Sequence, residues 1–354
     1  MKTLIIPDWR VTEELWRKCF KEYLGDLYDE LELRFLSLES DRSFRSKYTR
    51  IKEFAGDPSK VAAEIKDTEI LVVQFAPVSE ETIKAGKKLK LVACSRSTPV
   101  NVDLEAATEA GIPVIKGAGR NADSVADFTM GLLLSEVRHI ARAFESVRNG
   151  TYTGYQGGAR EKWRKSIPEL KGKTMGIVGV GFIGVKLAER AKGFGLRLLG
   201  YDPYVSEEKM RDIDVEKTDL ETLLKESDFI SVTVRLTPET TGMIGKKEFD
   251  MMKETAILVN TSRGAVIDED AMYAALKNKK IAGAALDVFV KEPITEDPDN
   301  KFIHMDNVTF TPHLAGPSDD MMYRGSCIIA EDIARFLKGE KMKNIMNPSV
   351  LPSE

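Results

Sequence analysis

A chain of 354 residues exceeds one ordinary core, and 42% hydrophobic with 31% charged residues is the balance of a soluble two-domain protein. A net charge of −4 gives no electrostatic reason for nucleic acid as a partner, and basic stretches such as Lys84–Lys90 read as solvated helix ends. No apolar run approaches a membrane span and MKTLIIPDWR is too short a run for a signal peptide, so the expectation is a cytoplasmic protein with no membrane partner.

In chain order, Leu4–Ile6, Leu33–Leu36, Ile70–Val73 and Leu91–Cys94 read as buried strands separated by helical or polar segments. Ile112–Ile115 is a further short strand, punctuated by Gly111 and Pro113. Strands alternating with helices imply a parallel sheet with crossovers. A single helix is predicted from Asp123 to Arg148, closed by Gly150. At 1.5 Å per residue it would be roughly 40 Å long, enough to carry the chain into a second domain. Residues 151–170 lack periodicity and read as an arm or loop that a partner subunit could cover.

A second α/β series starts at Thr174. Its strands are Met175–Val178, Leu196–Tyr201, Phe229–Val234, Ile257–Asn260, Gly283–Leu286 and Val308–Thr311. Thr218 and Glu221 have capping-box spacing at the head of one helix. A last helix, Asp319–Leu337, ends at Gly339, and the tail MNPSVLP returns to the first domain. The three cysteines, Cys19, Cys94 and Cys327, lack metal-ligand spacing and read as reduced thiols, so no metal site is expected.

Gly179-Val180-Gly181-Phe182-Ile183-Gly184 follows the strand MGIV directly and opens an amphipathic helix. In that context G-x-G-x-x-G binds a dinucleotide. The first glycine allows the turn, the second admits the pyrophosphate, and the third lets helix and strand pack closely. Asp202 ends the next strand, where a carboxylate accepts ribose hydroxyls and repels a 2'-phosphate, so NAD is the expected cofactor. The fold expected is α/β with two doubly wound parallel-sheet domains. A Rossmann NAD-binding domain, 119–317, is inserted in a split flavodoxin-like substrate-binding domain, 1–118 plus 318–354.

Arg263, Glu292 and His313 follow three successive strands of the second series, so all three belong to the sheet rim that holds the cofactor. Their chemistry suits hydride transfer beside a carboxylate. Histidine takes or gives the hydroxyl proton, arginine holds the carboxylate and polarised carbonyl, and glutamate orients and stabilises the imidazolium. His139 and His304 lack such a setting and read as helix surface and loop.

VNTSRGAVIDEDA, ALDVFVKEP and TPHLAG, behind GVGFIG, resemble the D-isomer-specific 2-hydroxyacid dehydrogenases, in particular their phosphoglycerate dehydrogenase-like branch. NVDLEAATEAGIPV, GRNADSVADFTMGLLL and ELKGKTMGIVG extend the resemblance over nearly the whole chain. It implies that Arg263 binds substrate, Glu292 is the acidic partner and His313 the acid/base. It also implies that Asp287 holds the nicotinamide carboxamide near the Thr261 backbone, with Gly316 in the same cofactor set. A homodimer built through the nucleotide domains is implied too, and the long helix and the 151–170 arm point the same way.

The resemblance is looser at the substrate loop, Ser95-Arg96-Ser97-Thr98-Pro99, where the family has a glycine-rich turn. Arg96, Ser97 and Thr98 are the candidate substrate residues, Arg96 for an anionic or polar distal group. Cys94 and the stretch Gln74–Pro77 replace arginines of the phosphoglycerate enzymes, and a chain of 354 residues leaves no room for their regulatory domain. The substrate expected is therefore a small D-2-hydroxy acid/2-keto acid pair not fixed to 3-phosphoglycerate. A non-catalytic, co-repressor-like NAD sensor and a dehydrogenase of another small anion such as phosphite are the alternatives. Glu292 argues against formate, whose enzymes have glutamine beside the histidine.

Overall fold

A computed structural model describes residues 1–152 and 167–351; most of the arm expected over 151–170 lies outside them. The chain divides into two compact units, Met1–Asn121 with Ser318–Glu354, and Ala122–Pro317.

The first unit is a five-stranded parallel sheet of β1 (Lys2–Ile6), β2 (Glu32–Phe35), β3 (Ile70–Val73), β4 (Leu91–Cys94) and β5 (Val114–Lys116). Their order, β2-β1-β3-β4-β5, is the flavodoxin-like winding. β3 and β4 are buried along their whole length, which is why ILVV and LVAC read as unbroken apolar runs. One face packs Trp16 and Phe20 against Ile329 and Ile333 of the helix Asp319–Leu337; the other packs Val61, Ile65 and Ile83. The Asn347 side chain accepts Val114 N–H at 2.8 Å and donates to Ile112 O at 2.9 Å, fastening the tail to the β5 edge.

The second unit has seven parallel strands: β6 (Thr174–Val178), β7 (Arg197–Tyr201), β8 (Glu216–Lys217), β9 (Phe229–Val232), β10 (Ile257–Asn260), β11 (Gly283–Leu286) and β12 (Val308–Phe310). Their order is β12-β11-β10-β9-β6-β7-β8. The chain winds outward from β6 to β8, then returns to the far side of β6 at β9. The strand order reverses there, and ligands of open α/β sheets bind at such a point. Val178 pairs with Val232, so the turns after β6 and β9 are level.

Two expectations are corrected and one strand is added. The helix predicted from Asp123 to Arg148 is two, Ala122–Val137 and Ile140–Arg148, because His139 takes a left-handed φ of 54°. The break lets Arg142 reach back to the buried carboxylate of Glu136 at 2.5 Å, and to His139 Nδ1 at 3.1 Å. A spacing of six residues would face away on an unbroken helix. The helix Leu220–Glu226 is capped by Asp219, whose carboxylate accepts Thr222 N–H at 2.8 Å, and not by Thr218. Its carboxylate also accepts the Thr222 hydroxyl at 2.9 Å. β8 is an addition; two exposed edge residues carry no periodicity. No helix among the described residues is long and apolar enough to cross a membrane.

Candidate active site

Gly179 turns with φ 97°, and a Cβ there would meet Val234 N at 2.9 Å, so only glycine allows β6 to turn beside the β9 loop. Gly184 is closed in the same way, with a virtual Cβ 2.4 Å from Gly179 O, which presses the helix Phe182–Gly193 onto the turn. Gly181 differs. It is the N-cap of that helix, has no side-chain cap, and a Cβ would meet nothing within 4 Å. Bare backbone thus borders open space at a helix N-terminus, which suits a pyrophosphate. Phe182 is exposed beside it and Ile183 half-buried. The Asp202 carboxylate accepts Val180 N–H at 3.0 Å and Tyr204 N–H at 2.9 Å, so it is held against the glycine turn. The two oxygens keep acceptor positions for ribose hydroxyls. These residues fit a dinucleotide.

Beyond β10, Asn260 is nearly fully buried and organises its own loop. Its Oδ1 accepts Ser262 N–H at 3.0 Å, and its Nδ2 donates to Arg263 O at 3.0 Å. Arg263 donates to Ser262 O at 2.6 Å and has no carboxylate partner among the described residues. A Cβ on Gly264 would lie 2.1 Å from the Phe289 carbonyl carbon, so the loops after β10 and β11 meet backbone to backbone. The Thr261 hydroxyl pairs with that of Thr129 at 2.9 Å.

Beyond β11, one oxygen of Glu292 accepts Phe289 N–H at 3.0 Å, and the other lies 2.8 Å from His313 Nδ1. His313 is held by Asp287, which is 1% exposed. Oδ1 of Asp287 accepts the Thr311 hydroxyl at 2.6 Å and Leu314 N–H at 2.8 Å; Oδ2 accepts Ala315 N–H at 2.8 Å. The Asp287 carbonyl accepts His313 N–H at 2.9 Å, and His313 itself takes a φ of 56°. Asp287 therefore shapes the histidine loop, a role that its sequence position does not announce. Only Oδ2 keeps an acceptor position for a carboxamide. Gly316 O accepts the Ser124 hydroxyl at 2.8 Å.

The structure brings Glu292 and His313 into contact and fixes the Arg263 loop against theirs, while Arg263 itself bonds to neither. His304 lies exposed in a turn. The expected substrate residues of the first unit, Arg96, Ser97 and Thr98, lie in the loop after β4. The Arg96 guanidinium is paired with the Glu53 carboxylate, donates to Glu53 O at 3.1 Å and lies 4.9 Å over the Phe75 ring. Its fork is thus engaged and not presented freely. Ser97 donates to Gly117 O at 3.0 Å, and Thr98 is exposed. No group of three or more His, Cys, Asp or Glu among the described residues is placed to hold a metal ion.

The sequence profile described as D-isomer specific 2-hydroxyacid dehydrogenase, NAD binding domain, matches residues 130–315, more than half of the chain. The chain belongs to the D-isomer-specific 2-hydroxyacid dehydrogenases. Within the D-isomer-specific 2-hydroxyacid dehydrogenases it is 40% identical to the glyoxylate reductase of Korarchaeum cryptofilum, over 85% of this chain and 89% of that one. It is also 40% identical to the D-3-phosphoglycerate dehydrogenase of Methanocaldococcus jannaschii, over 82% of this chain but 54% of that protein. It spans about half the length of that relative. The apo-structure of D-lactate dehydrogenase from Escherichia coli matches at TM-score 0.64 and 29% identity, covering 98% of this chain and 100% of that one. The glycine turn, Asp202, Arg263, Glu292 and His313 all fall inside the region matched to the NAD-binding domain of these dehydrogenases.

Proposed function

We propose that this chain transfers a hydride reversibly between NAD(H) and a small D-2-hydroxy acid/2-keto acid pair, with His313 as acid/base. The observation that carries this reading is the 2.8 Å contact of Glu292 with His313 Nδ1, on the sheet rim that bears the glycine turn. NAD, when bound, accepts or supplies the hydride. Glu292 engages Nδ1 and so leaves Nε2 to exchange a proton with the substrate oxygen. In reduction the imidazolium protonates the carbonyl oxygen; in oxidation the neutral ring takes the hydroxyl proton. Arg263, free of any carboxylate among the described residues, offers a forked cation to the substrate carboxylate and carbonyl. The Gly179–Gly184 turn and Asp202 would hold the dinucleotide, with Asp287 Oδ2, the Thr261 backbone and Gly316 toward the nicotinamide end. We assign substrate binding in addition to the first unit, through Ser97 and Thr98.

A panel of 2-keto acids reduced with NADH tests the reading and names the acid. Absence of turnover with every 2-keto and 2-hydroxy acid would leave a non-catalytic NAD-binding protein. His313→Ala lowers kcat at least a hundredfold, about 2.7 kcal/mol, with NADH binding retained. Glu292→Gln removes the charge that stabilises the imidazolium formed in the reaction, so kcat falls while NADH binding is retained. An unchanged kcat would break the Glu–His pairing.

The reading extends to a homodimer. The helix Ile140–Arg148 leaves Ile140, Phe144 and Val147 exposed at 55, 64 and 65%. Spacings of four and three put them on one face, an apolar stripe that a second copy would cover.

A further inference from the structure

The proposed reaction gives no part to the cysteines. Cys19 and Cys327 are 308 positions apart in sequence, yet their sulfurs lie 3.5 Å from each other. Cys19 belongs to the helix Glu13–Leu24 and Cys327 to the helix Asp319–Leu337, which pack on one another in the first unit. Both are free thiols. Cys94 is engaged elsewhere, its sulfur 3.7 Å from Gln74 O and 3.7 Å from Asn101 Oδ1.

Two thiols can be bridged only where their side chains already converge, and sulfurs in contact meet that condition. Closure asks a further approach of about 1.5 Å, within reach of small side-chain rotations on two packed helices. The two thiols are also unequal. Cys19 is fully buried, whereas Cys327 is 6% exposed, with the half-buried Tyr23 and Tyr323 at hand. The hydrogen bond with Cys19 draws the Cys327 thiol down, helped by the Tyr23 and Tyr323 hydroxyls and opposed by burial. The same bond, with burial, pushes the Cys19 thiol up. The sulfur nearer to solvent is thus the one that ionises first, and the thiolate is the form that reacts.

We infer that Cys19 and Cys327 form a reversible dithiol–disulfide pair, which fastens the last long helix to the first when the chain meets a hydroperoxide. The Cys327 thiolate attacks one peroxide oxygen. An S–O bond forms, the O–O bond breaks, and the departing hydroxide takes up the proton that the thiol released. Cys19 sulfur then attacks Cys327 sulfur. The S–S bond forms, the S–O bond breaks, and the hydroxyl leaves as water with the Cys19 proton. Two thiols lose two electrons, and the peroxide becomes two waters. The bond joins the two chain segments that build the first unit. It spans 308 positions, and closing so long a loop restricts the unfolded chain more than closing a short one. The inference is read from the first unit alone and stands apart from the proposed reaction.

Hydrogen peroxide added to the folded full chain, followed by alkylation in denaturant and peptide mapping, tests it. Cys94 alone should then be alkylated, and a peptide joining Cys19 to Cys327 should appear. On a non-reducing gel the linked chain should run ahead of the reduced one, and in urea it should unfold at a higher midpoint. Dithiothreitol should reverse all of these. Cys94→Ser should keep the linked species, and Cys19→Ala or Cys327→Ala should lose it. Since either alanine variant could disturb the helix contact, the map of the parent chain decides by itself. Three alkylated thiols after peroxide overturn the inference. So does a sulfinic acid at Cys327 without the linked peptide, or a bond that joins two chains. An oxidised chain that unfolds at the reduced chain's midpoint overturns the fastening.

Discussion

Asp287 acts on the histidine without touching its ring. Three donors converge on its carboxylate, and each comes from the short loop that carries His313. In Asp287→Asn one oxygen becomes an NH2 that faces a donor. The variant should lose about 2–3 kcal/mol in urea unfolding, the cost of a buried donor left unpaired. Turnover should fall as the loop shifts, although Glu292 and His313 remain. An unchanged unfolding midpoint would show that the loop is held by something else. Asp202 makes a separate claim. NADH should be preferred to NADPH at least tenfold, about 1.4 kcal/mol, and Asp202→Ala should erase most of that preference. Equal kcat/KM for the two cofactors in the parent chain would remove Asp202 from the ribose. The glycine turn and Asp202 are legible in the sequence because strand, turn and helix fix their spacing locally. The engagement of Arg96 by Glu53 and that of Arg120 by Gln74 are not. Each depends on a residue 43 or 46 positions away, and a sequence does not say which distant side chain will arrive.

Among the elements, β3, β4, β10 and β11 coincide with their apolar runs because parallel strands covered on both faces need no polar alternation. The break at His139 leaves no such mark. No proline interrupts 123–148, and Glu136, the carboxylate that Arg142 reaches across the break, is also bonded by Thr309, 173 residues away. Glu136 is 3% exposed, and its Oε2 accepts both Arg142 and the Thr309 hydroxyl, the latter at 2.7 Å. Burial holds its carboxyl above the usual range, opposed by Arg142. The fold therefore binds that proton more tightly than the unfolded chain does, and the carboxyl's contribution to stability declines as pH rises through its folded value. Arg142→Met strands the anion and should cost about 3–5 kcal/mol at pH 8. The loss should shrink as pH falls through the raised value, because a protonated carboxyl needs no cation. Denaturant melts at several pH values would read this, and a loss independent of pH would mean that Arg142 contributes only packing.

At the scale of the whole molecule, the proposed dimer predicts a particle of about twice 39.5 kDa by light scattering, and Phe144→Asp should shift it toward the monomer. A monomer at micromolar concentration in the parent chain would refute it. The split of the first unit has its own consequence, in time. The helix Asp319–Leu337 packs on Glu13–Leu24 with Cys19 and Cys327 sulfurs 3.5 Å apart, and Asn347 closes the β5 edge, so the ends of the chain need each other. A ribosome delivers them last and first. At 5–20 residues per second, translating residues 122–317 takes about 10–40 s. For that interval Trp16 and Phe20 lack the Ile329 and Ile333 that cover them, while residues 122–317, contiguous in the chain, are free to close as they emerge. The apolar flank of the first sheet is thus offered to chaperones, or to the same flank on a neighbouring nascent chain, throughout most of its own synthesis.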